Sequence, residues 1–432
     1  MKRGMFVAMA GMLAVGWLAA AKNLISVPAD FHRLVNEAEK YESEELYIRA
    51  IDSYKEALTF NPDSMDVQLR IARDYLAVGD EKAFTSRCEE ILSSKDYPVA
   101  VVSELADFYI DRERNESAIT LLKKAMKYHK NNEELTSRYE KVRYTYKDLY
   151  INAEEIGSLI NGSAVFVTDG RYGIMTNKGG IRVRNMNEWC GPYSSDETLA
   201  PVLKDGEFYF ADTNGYRYEV PAKEDKMEKL GILTDDIAPA KINGKYGYVN
   251  EKFEHLSEFQ WDDATQIQDG IGAVKQGEKW ALINEKMELK SDYLYDDVKT
   301  DENGFSFVHE RAFVKNGDAY QLIDKKGNVM GSDSYEDAVP FASEQPAAVK
   351  KNGKWGFLDA DGTMVIEPQY EEAGSFAEGL APVKTAAGWG YINQENALVI
   401  EDEFMGAKNF YKGVAPVKEG NYWTMIELNV KN

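Results

Sequence analysis

The C-terminal two-thirds of the chain alternates short apolar stretches with polar turns, and the pattern repeats. Each copy has an alternating segment such as Ala381-Pro382-Val383-Lys384, a turn containing glycine, and an aromatic segment such as Trp389-Gly390-Tyr391-Ile392. Alternation with a period of two on both sides of such a turn predicts a β-hairpin. With the first aromatic of the second segment taken as an anchor, the copies recur at nearly constant intervals. The eight anchors, which we expect to be structural core residues, are Tyr172, Phe208, Tyr246, Trp280, Tyr320, Trp355, Trp389 and Trp423.

A second apolar element follows each hairpin at constant spacing. Five copies carry a further aromatic at position plus 15 from the anchor, as at Trp261 and Tyr370. A unit of this length has room for three or four short strands and cannot bury its apolar face without its neighbours. Because radial repetition hides the strand edges, we expect a seven- or eight-bladed β-propeller, with an open superhelix of β-hairpins as the alternative. The extra residues of the longest copy, around 301–304, are interpreted as a permissive loop.

These copies resemble the bacterial WG-repeat (KWG-repeat) family. The resemblance rests on Gly353-Lys354-Trp355-Gly356-Phe357-Leu358-Asp359, on an upstream Ala-Pro-Val-Lys and on a downstream Pro-x-Tyr-x-x-Ala. It covers roughly residues 157–430, which we interpret as one all-β domain. The copies anchored on Phe208 and Tyr320 lack the glycine after the aromatic, and the two N-terminal copies lack the aromatic at plus 15.

The N-terminal third has helical spacing inside a second repeat. Small residues recur at Ala38, Ala72 and Ala106, each followed three positions later by a tyrosine. Small residues at this spacing let paired helices approach closely, and Asn61-Pro62 marks a helix end. The pattern resembles the tetratricopeptide repeat, an α-solenoid of helix pairs. The three copies are 31–64, 65–98 and 99–132, together spanning residues 31–132.

Two departures from this helical pattern give further predictions. Phe84, Cys88 and Ile91 replace small or aromatic positions of the middle copy, so its second helix is expected to pack differently. Apolar residues at helical spacing over 133–150 predict a capping helix.

The tetratricopeptide resemblance implies a peptide-binding groove along the first helix of each unit. The charges there are mixed and do not reproduce the Lys/Asn clamp that some members use for a C-terminal carboxylate. The implied groove residues are Asn36, Glu39, Arg70, Arg73, Glu104 and Asp107.

The N-terminus predicts export. Lys2-Arg3 precede an uncharged apolar run from Met5 to Ala21, as in a secretory signal. We favour an uncleaved signal anchor within 1–29, with a cleaved signal peptide and a secreted protein as the alternative. Both interpretations place the repeats outside the cytoplasm.

Composition narrows the range of partners. The net charge of −22 argues against a nucleic-acid partner, because phosphate binding needs a basic surface. The two cysteines, Cys88 and Cys190, fall in different domains and are not expected to pair.

No known catalytic motif stands out in the sequence. The four histidines are scattered, and the chain contains no HExxH, nucleophile elbow, Walker loop or dinucleotide fingerprint. Four acidic pairs follow the plus-15 aromatics: Asp262-Asp263, Asp296-Asp297, Glu336-Asp337 and Glu371-Glu372. Adjacent carboxylates on a strand point to opposite faces, which disfavours joint Ca²⁺ chelation, so we interpret them as solvated turns or edge protection. We likewise interpret the repeated lysines as guarding exposed strand edges: Lys275, Lys315, Lys350, Lys384 and Lys418.

These observations favour a non-catalytic, membrane-tethered interaction scaffold that faces outward and uses no cofactor or metal. The helical repeats are expected to hold a peptide segment of a protein partner. The alternative is a cell-wall or carbohydrate-binding module acting through the propeller face. An enzyme with its site in the propeller funnel is the least favoured interpretation.

Overall fold

The computed structural model describes residues 28–94 and 96–429, and it divides into two compact units after Arg143. The expected signal anchor falls almost wholly on residues 1–27, outside the described residues. Within the described ranges, no helix combines the length and apolar character needed to cross a membrane.

The first unit is an array of antiparallel helix pairs. Helix α2 ends at Phe60, one residue before the predicted breaker Asn61-Pro62. The Asn132 side chain accepts the backbone N–H of Leu135 and so caps the last helix. The helices are α1 (Ala29–Ser43), α2 (Tyr47–Phe60), α3 (Met65–Ala77), α4 (Glu81–Ser94), α5 (Val99–Asp111), α6 (Asn115–Tyr128) and α7 (Glu133–Val142).

Small residues lie at the helix contacts, as the sequence predicts. Ala38, Ala72 and Ala106 are fully buried, and the Tyr54 side chain is buried between α1, α2 and α3. In the middle pair, Phe84 packs on Phe108 with ring centroids 4.9 Å apart. A cleft of about 490 Å³ lies between α4, α5 and α6. The second helix of the middle copy therefore borders an open surface cleft, while Phe84, Cys88 and Ile91 are buried in its contacts.

The predicted capping helix is shorter than expected. Helix α7 ends at Val142, and Tyr146–Asp148 forms a strand, β1, instead of a further helical turn. Tyr146 fits the helical spacing, but its backbone pairs with Leu428, close to the other end of the chain. Local periodicity carries no information about so distant a partner, and the β unit therefore begins before residue 150.

The second unit is an eight-bladed β-propeller, and its sheets follow one another along the chain. Blades 1 to 4 contain β2 (Glu155–Ile156), β3 (Ser163–Thr168), β4 (Arg171–Thr176) and β5 (Ile181–Asn187); β6 (Trp189–Cys190), β7 (Ala200–Lys204), β8 (Glu207–Ala211) and β9 (Arg217–Glu219); β10 (Met227–Leu230), β11 (Ala238–Ile242) and β12 (Lys245–Val249); β13 (Asp263–Ala264), β14 (Ile271–Gln276) and β15 (Lys279–Asn284). Isolated bridges supply an irregular fourth strand to blades 3 and 4.

Blades 5 to 8 continue the order. They contain β16 (Asp297–Val298), β17 (Arg311–Asn316), β18 (Ala319–Asp324) and β19 (Val329–Tyr335); β20 (Asp337–Ala338), β21 (Ala347–Lys351), β22 (Lys354–Leu358) and β23 (Met364–Tyr370); β24 (Glu372–Ala373), β25 (Leu380–Lys384), β26 (Trp389–Asn393) and β27 (Leu398–Phe404); β28 (Gly406–Ala407), β29 (Val414–Glu419) and β30 (Tyr422–Leu428).

Strand β1 closes the ring. It pairs antiparallel with β30, so the residues that precede blade 1 supply the outermost strand of blade 8. The C-terminal hairpin at Trp423 is thereby completed to a four-stranded blade. Closure removes the free strand edge that a terminal hairpin would otherwise present.

The anchor and the plus-15 aromatic are cross-strand neighbours. Trp355 lies opposite Tyr370, and Trp389 lies opposite Phe404. A Cβ on Gly356 would lie 2.5 Å from the carbonyl oxygen of Ile366, so the outer strand can cross here only over a glycine. Of the anchors, Phe208, Trp280, Tyr320 and Trp355 are buried, whereas Tyr172, Tyr246, Trp389 and Trp423 are partly exposed.

Candidate interaction surfaces

The first helices of the helical unit share a continuous charged surface. At its start, the Arg70 guanidinium of α3 bridges two carboxylates of α1, with nitrogen–oxygen distances of 3.2 Å to Glu39 and 2.9 Å to Glu42. The same guanidinium contacts Asp66 at 3.1 Å and donates to the Tyr54 hydroxyl. Arg70 thus connects α1, α2 and α3.

The charged contacts continue to the end of the array. Arg73 of α3 pairs with Glu104 of α5, and Arg138 of α7 makes a bidentate pair with Asp107 of α5, whose two contacts are both 2.8 Å. Arg138 also lies 3.2 Å from Glu134. We call this surface the first-helix face, made of Glu39, Glu42, Asp66, Arg70, Arg73, Glu104, Asp107, Glu134 and Arg138.

Five of the six groove residues implied by the sequence belong to the first-helix face. The sixth, Asn36, is exposed on α1 three positions before Glu39. The sequence interpretation missed the partners Glu42, Asp66, Glu134 and Arg138. The sequence did contain a signal for these ion pairs. Three of them join opposite charges at the same sequence separation, which is three positions shorter than one helical repeat: Glu39–Arg70, Arg73–Glu104 and Asp107–Arg138.

A buried carboxyl group lies beneath the start of this face. Asp74 of α3 is buried, and one of its carboxyl oxygens has no hydrogen-bond partner among the described residues. Burial, followed by the nearby charge of Glu42, raises the pKa of Asp74 to about 7, although Arg70 opposes the shift. Burial is thus the main reason that Asp74 holds its proton to a higher pH than an exposed aspartate does.

In the propeller, the first member of three of the four acidic pairs accepts a hydrogen bond from a hairpin turn: Asp262, Asp296 and Glu336. Asp262 accepts the backbone N–H of Gly277 at 2.7 Å, and Asp296 accepts that of Gly317 at 2.8 Å. Hydrogen bonds from Lys245 and Lys279, together with those turn N–H groups, hold the pKa values of Asp262 and Asp296 below the usual range. These carboxylates are turn caps of the repeat.

The second member of each acidic pair lies on the first strand of a blade, which lines the central channel, and faces a lysine. Asp263 is opposite Lys275, and Asp297 is opposite Lys315. These lysines lie on the second strand, with a neighbour on each side, so their interpretation as guards of exposed edges is wrong. Periodicity alone did not show which strand of a blade is the edge.

The lysines also cover the anchor rings. The Lys275 ammonium lies 5.8 Å from the centroid of the Trp280 ring, and Lys241 lies 5.5 Å from that of Tyr246. A cation at this distance over an aromatic ring is attracted to its face. A lysine therefore lies over one face of each of these two rings, whereas the anchors Trp355 and Trp389 line a cavity of the channel.

A cavity of about 900 Å³ opens at one end of the central channel. It is lined by the connections between the first and second strands of all eight blades. The connection in blade 5, residues 299–310, is twelve residues long, against six to nine in the other blades. Its residues Glu302 and Asn303 also line a second cavity of about 450 Å³. The blade 5 connection therefore divides the channel.

The blade 5 connection is held in place by hydrogen bonds and is not the permissive loop expected from the sequence. A carboxylate oxygen of Asp301 accepts the N–H groups of Asn303 and Phe305, both at 2.9 Å. From the tip, Glu302 accepts the N–H of Ser158 in blade 1 and pairs with Lys408 in blade 8. Burial alone would raise the pKa of Glu302, but Lys408 and Ser158 outweigh it, and the pKa lies below its usual range. Glu302 thus links the first and last blades across the channel.

The described residues contain no group of three or more His, Cys, Asp or Glu side chains placed to hold a metal ion. Cys88 and Cys190 are buried and do not form a disulfide. Burial raises the pKa of both thiols to about 12, so neither is a thiolate nucleophile at neutral pH.

Comparison with known sequences identifies WG repeats in the propeller. The family described as WG containing repeat matches residues 246–280, 322–355, 355–386 and 389–423, about a third of the chain. Three of the four matched segments begin at an anchor assigned from the sequence. No curated protein sequence matches the chain.

Solved structures similar to the two units were also found. The TPR domain of Sgt2 from Aspergillus fumigatus is 19% identical, covers 27% of this chain and 78% of its own, and gives a TM-score of 0.23. A eukaryotic initiation factor is 11% identical over 67% of this chain and 88% of its own, with a TM-score of 0.44. The WD40 domain of SCAP from fission yeast is 7% identical over 67% of this chain and 99% of its own, with a TM-score of 0.39.

Proposed function

We propose that this protein is a non-catalytic interaction scaffold whose helical repeats hold a peptide segment of a protein partner. The first-helix face carries the proposal. It runs over four helices from α1 to α7, its charged groups pair with one another, and its outer carboxylates remain open to solvent. The propeller presents a second, separate surface.

The propeller supports a structural role for its repeated residues. The anchor aromatics, the turn-capping carboxylates and the channel-side lysines each contact another member of the repeat. A catalytic site needs a unique group placed beside a substrate. One channel group that does not recur with the repeat, Glu302, is held by Ser158 and Lys408, which suits a structural link.

We further propose that the protein is bacterial and that a signal anchor within residues 1–29 tethers it with its repeats outside the cytoplasm. The basic pair followed by an uncharged apolar run supports this topology. A reporter enzyme that works only in the cytoplasm, fused to the C-terminus of the full chain, is expected to be inactive. Reporter activity would refute the proposed orientation.

The interaction proposal is tested with the full chain as bait for protein from cells, and separately for binding to isolated cell wall. Glu39→Lys with Asp107→Lys changes the first-helix face while leaving Arg70 and Arg138 each a carboxylate partner. The matched control, Asp52→Lys with Glu56→Lys, makes the same charge change at exposed positions of α2.

Loss of the partner with the first variant and retention with the control is the expected result. Equal retention by both variants would move the function to the propeller. Binding to isolated wall without a protein partner would support the carbohydrate-binding alternative instead.

A further inference from the structure

The first-helix face has an excess of negative charge. Six carboxylates and three guanidinium groups form its ion pairs. All three arginines are already paired, Arg70 with three carboxylates and Arg138 with two. A carboxylate ligand would have to displace one of these internal partners before it could bind.

The carboxylates also lie further out than most of the arginines. Asp66 has 70% of its side-chain surface exposed, against 29% for its partner Arg70. At the other end of the face, Glu134 is 52% exposed and Arg138 only 22%. Two pairs reverse this order, because Arg73 is more exposed than Glu104 and Arg70 is slightly more exposed than Glu42. A ligand approaching either end of the face therefore meets carboxylate oxygens first.

Asp74 is a further carboxyl group at this face. It lies beneath the Arg70 end of the face, buried and with one carboxyl oxygen unpartnered among the described residues. Arg70 does not supply enough positive charge to keep this group ionised against burial and Glu42. Burial is the larger cause of this raised pKa, and the negative charge of Glu42 adds to it.

We propose that the first-helix face binds a cationic polypeptide segment, rich in lysine or arginine, and not an acidic or C-terminal carboxylate one. This inference rests on the proposed function and specifies the partner's chemistry. Ammonium and guanidinium groups of the segment pair with the outer oxygens of Glu39, Asp66, Asp107 and Glu134. Because these carboxylates are exposed, the binding weakens as salt is raised.

The test uses the full chain with a reporter on the face itself, because the rest of this acidic protein also attracts cations. Asn36→Cys places a thiol beside Glu39 for an environment-sensitive dye, and the buried Cys88 and Cys190 are not expected to react with it. The probes are ten-residue peptides of lysine, of glutamate, and of alternating glycine and serine. The dye signal gives the dissociation constant for each probe.

Two triple variants in the Asn36→Cys background separate specific from general attraction. Glu39→Gln, Asp66→Asn and Asp107→Asn remove three carboxylates from the face, while Glu42 and Glu134 still pair with Arg70 and Arg138. Asp52→Asn, Glu56→Gln and Glu116→Gln remove the same charge from exposed positions of the second helices. Matching melting curves show that both proteins remain folded.

The lysine peptide is expected to bind, the first triple variant to weaken it about tenfold, and the control to change it less than about twofold. Equal weakening by both triples, or no response to the lysine peptide, would overturn the inference. Preferential binding of the glutamate peptide would overturn the charge class while leaving the proposed function intact. A different experiment tests the proposed function itself. That function would be refuted if the Glu39→Lys, Asp107→Lys protein retained the cellular partner.

Discussion

The two units are built from repeats of nearly the same length, yet they use the repeated residues differently. The helical array is open, and its first helices are joined on the surface by exposed ion pairs such as Arg73–Glu104. The propeller is closed, and its repeated aromatics, carboxylates and lysines contact one another inside the ring. An open array leaves one face available to a partner. In a closed ring, one blade differs from another mainly where its sequence departs from the repeat, as in the long connection of blade 5.

Ring closure is the feature whose loss should have the largest effect. A propeller fragment that starts at Asn152 lacks β1, whereas one that starts at Tyr144 retains β1 and the buried Tyr144 side chain. We expect the shorter fragment to be less stable by on the order of 5 kcal/mol and to aggregate through the uncovered edge of β30. Chemical denaturation of the two fragments measures the difference. Equal stabilities would mean that the ring does not depend on β1.

Strand β1 also shows which part of the fold could not be predicted from the sequence. The hairpins, their anchors and the plus-15 partners were predictable because both halves of each contact lie within one repeat. The helix pairs and the tight contacts at Ala38 and Ala106 were predictable for the same reason. Blade count was left open between seven and eight, because the eighth blade draws its last strand from Tyr146–Asp148, in a segment with helical spacing.

The candidate sites were likewise predictable only where the contacting residues lie close together in the sequence. The residues assigned to the groove lie on the first helices, and two of the partners that were missed, Glu42 and Arg138, lie one repeat away from the residues they contact. The role of Glu302 could not be predicted, since its partners Ser158 and Lys408 belong to the first and last blades and are distant from it in sequence. The greater length of this copy indicates an insertion, but it does not indicate whether the inserted residues are exposed to solvent or cross the channel.

Within the open array, the two arginines of α3 should differ in their importance for folding. Arg70→Glu places a carboxylate among Glu39, Glu42 and Asp66 and should cost about 2–3 kcal/mol of unfolding free energy. Arg73→Glu, at a half-exposed position paired with Glu104, should cost less than about 1 kcal/mol. Denaturation followed by helical circular dichroism tests this difference, and equal costs would contradict this account.

The raised pKa of Asp74 predicts that the stability of the helical unit depends on pH. The pKa is about 7 in the folded protein and near its usual 3.8 when unfolded, so between these values the folded state binds more protons. Stability should therefore fall as pH rises from 5 to 8. Asp74→Asn should remove this slope and add about 1–2 kcal/mol at pH 8. The exposed Asp52→Asn serves as the control, and an unchanged slope in Asp74→Asn would contradict the assignment.

Within the closed ring, the smallest expected effect belongs to the channel link. Glu302→Gln keeps an acceptor for the Ser158 N–H but removes the charge that pairs with Lys408, and should cost about 1 kcal/mol. Glu310→Gln, in the same connection and paired with the exposed Lys325, is the matched control and should cost close to nothing. Urea denaturation of the full chain compares them. A larger cost at Glu310 would show that the link across the channel is unimportant.

The most direct measurement of the central claim is residue-specific photo-cross-linking of the full chain in its own cells. A photoreactive amino acid is placed at Asn36 beside the first-helix face, at Asp52 on the second helix, or at Asp235 at the mouth of the propeller channel, all of them exposed positions. The open array is predicted to hold the partner, so Asn36 should give a protein adduct that Asp52 and Asp235 do not. An adduct from Asp235 with none from Asn36 would contradict this account and place the binding surface on the propeller.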